Sequence, residues 1–180
     1  MTTLTTGRLI LRPLIDADAP AYAAMRYHPD VARWLAPATG DAGDAAVATI
    51  AYFAECRAKD GHAPWGMFLK TADGGEGRLI GQGGLRVIPE FDDRTELLYA
   101  LHPDVHGKGY ASEMGRAALR HGFEDRGLDL VFAITRPDNA ASRAVMARLG
   151  MRHTRAVVYT GIDAVWYEID AATWRAGVSP

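Results

Sequence analysis

The chain has 180 residues, with 20 Lys+Arg against 22 Asp+Glu and a formal net charge of −2. That length suits one core, and residues 1–180 are expected to form a single domain. The near-neutral balance carries no basic footprint for nucleic acid or an anionic membrane surface, and no apolar run approaches the roughly 20 residues of a bilayer span. The composition, 48% hydrophobic and 23% charged, is that of an ordinary globular domain. The opening MTTLTTGRLILRPL lacks a basic stretch followed by a long apolar one, so no signal peptide is expected. The one cysteine, Cys56, cannot form an internal disulfide and points to a reducing, cytoplasmic setting.

Arg8 to Leu14 alternates apolar and polar and reads as a strand stopped by Pro13. Asp16 is placed to cap a helix over 17–26, and a turn at His28-Pro29-Asp30 opens a second helical piece toward Trp34. Asp44 is the expected cap of a longer helix to Lys59, stopped by Gly61. Strands follow at 63–72, 78–88 and 95–102, the second carrying Gly81, Gly83 and Gly84, which signal a bulge or a close backbone approach. Helical spacing runs from Gly109 to Arg126, and the nearly all-apolar 128–135 reads as a strand buried on both faces. Asp138 is the expected cap of a helix through Leu149, and 152–160 with 164–169 form a final hairpin around Gly161. The order β-α-α-α-β-β-β-α-β-α-β-β implies an α/β fold: a mixed, mostly antiparallel sheet with helices on both faces.

One segment concentrates the chemistry. A strand ending at His102 leads through Pro103–Lys108 into a helix opened by Gly109, Tyr110, Ala111 and Ser112. Free N–H groups and the positive dipole end make a helix start an anion site, and Gly107, Gly109 and Ala111 let backbone approach a phosphate closely. The alternative is a flexible turn and nothing more. A Walker A loop is absent, and the Rossmann pattern fails at Ser112, with Asp129 at the wrong end of its strand for a ribose contact.

The run ELLYALHPDVHGKGYASE (96–113) resembles the central motif of the GNAT superfamily of acyl-CoA-dependent N-acyltransferases. Its pyrophosphate pattern [QR]-x-x-G-x-[GA] falls on His106, Gly109 and Ala111, with His in the first position. NAASRAVMARLGM (139–151) is similar to the second signature, and RLILRP (8–13) to the opening of the Rim-type branch, the ribosomal-protein-alanine acetyltransferases. The resemblance implies the GNAT fold and acetyl-CoA as co-substrate. It implies a cofactor cradle of His106, Gly107, Lys108, Gly109, Tyr110, Ala111 and Ser112, with a main-chain N–H near Leu101 on the thioester carbonyl. Asn139, Ser142, Arg143 and Met146 share one face of their helix by spacing, beside the core-like Ala141, Val145 and Leu149. On that face Asn139 and Arg143 are expected to line the cofactor groove.

Acetyl transfer needs a neutral amine, a polarised carbonyl and a proton for the leaving thiolate. Glu96 is the candidate proton acceptor. The family's proton-donating tyrosine aligns with Met146, and the resemblance to the Rim-type branch implies Ser142 as its replacement at the thiolate. Trp34 and Trp65 are the candidate acceptor-site residues, the alternative being ordinary core aromatics. His102, Asp104 and His106 do not make a metal set, because Pro103 breaks any helix there and no H-E-x-x-H or cysteine pair exists. The reading is therefore an acetyl-CoA-dependent N-acetyltransferase acting on a small amine or a peptide N-terminus. A non-catalytic acyl-CoA-binding regulator and a nucleotide-binding redox domain are the alternatives, and the chain is left open between monomer and homodimer.

Overall fold

The computed structural model describes residues 2–35, 37 and 40–177. Its strands are β1 (Leu4–Thr5), β2 (Leu9–Arg12), β3 (Trp65–Lys70), β4 (Glu76–Ile88), β5 (Arg94–Leu101), β6 (Leu130–Thr135), β7 (Arg152–Tyr159) and β8 (Ile162–Asp170). The helices are α1 (Ala19–Arg26), α2 (Pro29–Ala32), α3 (Ala42–Asp60), α4 (Tyr110–Arg120), α5 (Ala140–Arg148) and α6 (Ala171–Gly177). The strands form one sheet in the order β1-β2-β3-β4-β5-β6-β8-β7. All neighbours pair antiparallel except β5 and β6, which the crossover through α4 makes parallel. The expected element order holds, with β1 and α6 added. The added helix had a legible signal: Asp170 Oδ1 accepts from Thr173 N at 2.6 Å.

Caps account for the other shifts in boundary. Asp41, not Asp44, caps α3, accepting from Gly43 N at 2.8 Å, while Asp44 lies in the first turn where its charge suits the dipole. Gly61 closes α3 with φ +77°, as its position after Lys59 implied. Asn139 rather than Asp138 caps α5, its Oδ1 accepting from Ser142 N at 3.1 Å. After α4 the chain widens into a π turn over His121–Asp125.

The glycines of β4 are demanded by close approach. A Cβ on Gly81 would stand 2.5 Å from Ala100 O, and one on Gly83 would stand 2.4 Å from Met114 Cε. The β3–β4 register slips by one residue beside Gly81, which is the expected bulge. One face of the sheet packs Leu97, Leu101, Met114, Val131, Met146, Leu149 and Tyr167 under α4 and α5. The other face packs Leu14, Tyr22, Met25, Ile50, Phe53, Phe68 and Ala100 under α1 and α3. No helix among the described residues is long and apolar enough to cross a membrane.

Candidate active site

Among the described residues β5 and β6 share one ladder rung, Glu96 opposite Phe132. No rung joins Leu97–Leu101 to Ala133–Thr135, so the two strands part toward their C-terminal ends. His102 N donates to Ile80 O at 2.8 Å, so the even-numbered residues of β5 turn their backbone toward β4. Strand alternation then directs the main-chain groups of Tyr99 and Leu101 into the gap on the β6 side. The Leu101 carbonyl confirms this, since it meets His106 Nε2 at 2.9 Å. The Leu101 N–H points the same way.

The gap opens into a cleft of about 1700 Å³ that reaches the start of α4. That exceeds the roughly 300–1,000 Å³ of a drug-sized pocket and leaves room for a large cofactor beside an acceptor. Gly107 and Gly109 hold φ +74° and +83°, conformations that a side chain would strain. Nothing lies within 4 Å of a Cβ built on Gly107, so this surface of the loop is clear for a ligand. Glu113, in the first turn of α4, fastens the loop to the start of β2. It accepts from Thr6 Oγ1 at 2.6 Å, Arg8 N at 2.8 Å and Arg8 Nε at 2.7 Å. Although desolvation acts against it, these bonds hold the Glu113 carboxyl below its ordinary range. Arg8 also donates to Lys108 O at 2.9 Å and lies over the Tyr110 ring at 4.3 Å. Among the described residues nine Arg or Lys side chains and four carboxylates line the cleft, although the chain as a whole is net negative. A glycine cradle, a helix start and this charge excess fit a phosphate-bearing cofactor such as CoA.

Side-chain alternation along β5 divides the polar groups between the two faces. Glu96 faces the α1–α3 side and is 4% exposed, with Arg86 Nε donating to its Oε2 at 2.7 Å. Burial pushes the Glu96 carboxyl up from its ordinary range, with Arg86 pulling the other way. Three residues on, Tyr99 faces α5. Its hydroxyl lies 3.0 Å from Ser142 Oγ and donates to Ser142 O at 3.1 Å. Burial pushes the Tyr99 phenol up to about 12, so it stays neutral at physiological pH. Tyr99 also lines the cleft, and its odd spacing from Glu96, which puts it on the opposite face of β5, is its signal in the sequence.

Leu101, Gly107, Lys108, Gly109, Tyr110, Ala111, Ser112, Asn139 and Trp34 all line the cleft with Glu96 and Ser142. His106 lines it too, but its ring is committed to Leu101 O, so it closes the loop instead of reaching outward. Two expectations are corrected. Arg143 does not line the cleft: its Nε donates to Tyr167 Oη and its Nη1 to Pro137 O, both at 3.2 Å, because its side of α5 packs toward β8. Arg148 lines the cleft from α5 instead. Trp65 is core, not acceptor wall, 2% exposed, with its indole N–H donating to Thr2 O at 3.0 Å. The expected division of α5 also changes, since Met146 is buried in the core and Ala141 is exposed. Trp34 does line the cleft, with the Arg33 and Arg136 guanidiniums 4.8 and 6.0 Å from its ring centroid.

Parting strands over a glycine-opened helix start, with a buried carboxylate on one face and hydroxyls on the other, are the architecture of a transferase of the acyl-CoA type. The chain belongs to the GNAT family of acetyltransferases, whose acetyltransferase domain residues 8–152 match. It is 30% identical over 149 residues to the uncharacterized N-acetyltransferase YoaA of Bacillus subtilis, covering 83% of this chain and 82% of that one. The acetyltransferase from Agrobacterium tumefaciens superposes with a TM-score of 0.80 at 27% identity, over 94% of both chains. Mycobacterium smegmatis RimJ, solved in complex with CoA-disulfide, has the same fold, with a TM-score of 0.73 at 21% identity over 98% of this chain and 97% of that one. The mixed, mostly antiparallel α/β architecture is the one expected from the sequence, and the redox reading is set aside.

Proposed function

We propose that the protein transfers the acetyl group of acetyl-CoA to a primary amine, either a small molecule or a peptide N-terminus. The observation that carries this is the gap between β5 and β6, which joins the α4 anion cradle to Glu96 on one face and Ser142 on the other. Acetyl-CoA would supply an activated acyl carbon. Backbone N–H groups at the start of α4, with the Gly107–Gly109 loop, hold the pyrophosphate. The Leu101 N–H polarises the acyl carbonyl, and Glu96 accepts the proton of the incoming amine directly or through one water. Ser142 faces the departing sulfur, and Trp34 forms a wall of the acceptor site. Alignment of the reactants across the gap supplies a further part of the rate.

The test is thiol release from acetyl-CoA with a panel of peptides and polyamines. Amine-dependent release supports the reading. Saturable CoA binding without product from any acceptor, and without any effect of Glu96→Gln, favours a non-catalytic acyl-CoA-binding regulator instead. The burial of Met146 where the resemblance expects a proton donor gives that second reading its motive.

A further inference from the structure

We propose that Tyr99 is a positioning residue whose phenol turns the Ser142 hydroxyl proton into the gap between β5 and β6, where it donates to the sulfur of the departing thiol. This rests on the acetyl-transfer reading above. The two hydroxyls come from opposite walls of the cleft, Tyr99 from β5 and Ser142 from the first turn of α5. Their oxygens lie 3.0 Å apart. Ser142 itself is held, because its N–H is bonded to the Asn139 cap at 3.1 Å.

The phenol has one proton and two acceptors within reach, Ser142 O at 3.1 Å and Ser142 Oγ at 3.0 Å. When it donates to Oγ, the serine's own proton has to point elsewhere, and the cleft is the open direction. A thiolate in the gap selects that arrangement, because the bonds Tyr99 O–H to Ser142 Oγ and Ser142 O–H to sulfur strengthen one another. Met146 is sealed in the core and contributes no donor from α5, so the phenol reaches the site from the facing strand.

The pair stabilises the thiolate without surrendering a proton. The Tyr99 phenol, near 12, lies more than three units above a thiol of about 8.5, so full transfer is disfavoured by roughly a thousandfold or more. The proton count closes another way. The C–N bond forms, the C–S bond breaks and its electron pair leaves on sulfur. The amine proton passes to Glu96 and then to solvent, and the free thiol takes its proton from water after departure.

The test reads the ionisation of CoA bound to the full chain, by the ultraviolet absorbance of its thiolate, and needs no acceptor. Wild type should hold the bound thiol below its value in solution. Tyr99→Phe and Ser142→Ala should each raise it by about one unit, with affinity for the ionised form of CoA lower by the linked factor of about ten, because each weakens one charge-assisted bond. In the Ser142→Ala background Tyr99→Phe should add nothing, which a merely structural role for the phenol would not produce. Equal thiol titrations in wild type and Tyr99→Phe overturn the proposal, as does a full effect of Tyr99→Phe in the absence of the Ser142 hydroxyl. Failure of wild type to bind CoA overturns the acetyl-transfer reading itself, and the proposal with it.

Discussion

Glu96→Gln tests both the electrostatics of the site and its chemistry. The carboxylate is 4% exposed and bonded to Arg86 at 2.7 Å, and Gln keeps the shape and an acceptor oxygen while deleting the charge. What remains is a guanidinium without its counter-charge. Removing one partner of a buried pair costs about 3–5 kcal/mol, and with a quarter of the Arg86 side chain exposed the lower end, about 3 kcal/mol, is expected. For a chain of this size that is a fall in Tm of about 6–12 °C. Turnover should fall by about a hundredfold or more in kcat/KM at pH 7, the usual contribution of a general base. Because Glu96 has to be ionised to accept a proton, and its carboxyl titrates above the ordinary range, the wild-type rate should fall as pH drops through that raised value. The variant should lose this limb and keep only that of the acceptor amine. Arg86→Met combined with Glu96→Gln should recover most of the Tm without recovering the rate. Retention of the wild-type rate within about threefold by Glu96→Gln would refute proton acceptance by this residue. Recovery of the rate in the double variant would show that only the charge balance mattered.

Three other outcomes follow from the same structure. His62 is 6% exposed, and among the described residues neither ring nitrogen has a partner within hydrogen-bond geometry; burial holds its pKa below the ordinary 6.5, with Arg126 and His121 acting in the same direction and nearby Asp60 against. The unfolded chain therefore binds the extra proton first, and stability should decline as pH falls below about 6.5 toward the folded value. Urea midpoints measured from pH 7 to 5 should fall less steeply for His62→Leu, and parallel curves would refute the assignment. Gly81→Ala places a Cβ 2.5 Å from Ala100 O, whereas Gly74→Ala meets nothing within 4 Å and carries only the strain of φ +84°. Denaturant unfolding should give about 3 kcal/mol for the first and about 1 kcal/mol for the second, and the reverse order would contradict the β4–β5 packing. Gly109→Ala, at φ +83°, strains the cradle by about 1–2 kcal/mol, so CoA titration should show affinity lower by about tenfold; an unchanged Kd would place the phosphates elsewhere.

Most of the element order, and the glycine loop ahead of α4, are legible along the chain. Apolar periodicity, Gly61 after Lys59 and the glycines of β4 are local signals, and local physics reads them. The caps stand one to three residues from the expected ones because Asp41 and Asp44, or Asp138 and Asn139, are equivalent along the chain until packing fixes the helix start. Which face meets which partner is settled by packing between elements far apart in the chain. Spacing put Arg143 beside Ser142, but the packing of α5 against β8 turns it to Tyr167 and leaves Arg148 for the cleft. Trp65 and Trp34 look alike along the chain, yet one fills the core and the other stands at the cleft. The pairing of Tyr99 with Ser142 spans 43 residues, and the Arg86–Glu96 pair depends on the β4–β5 register. A net charge of −2 likewise gave no hint of a cleft lined, among the described residues, by nine Arg or Lys side chains against four carboxylates. Composition sums over the chain, whereas a binding site depends on which few charges the fold brings to one place.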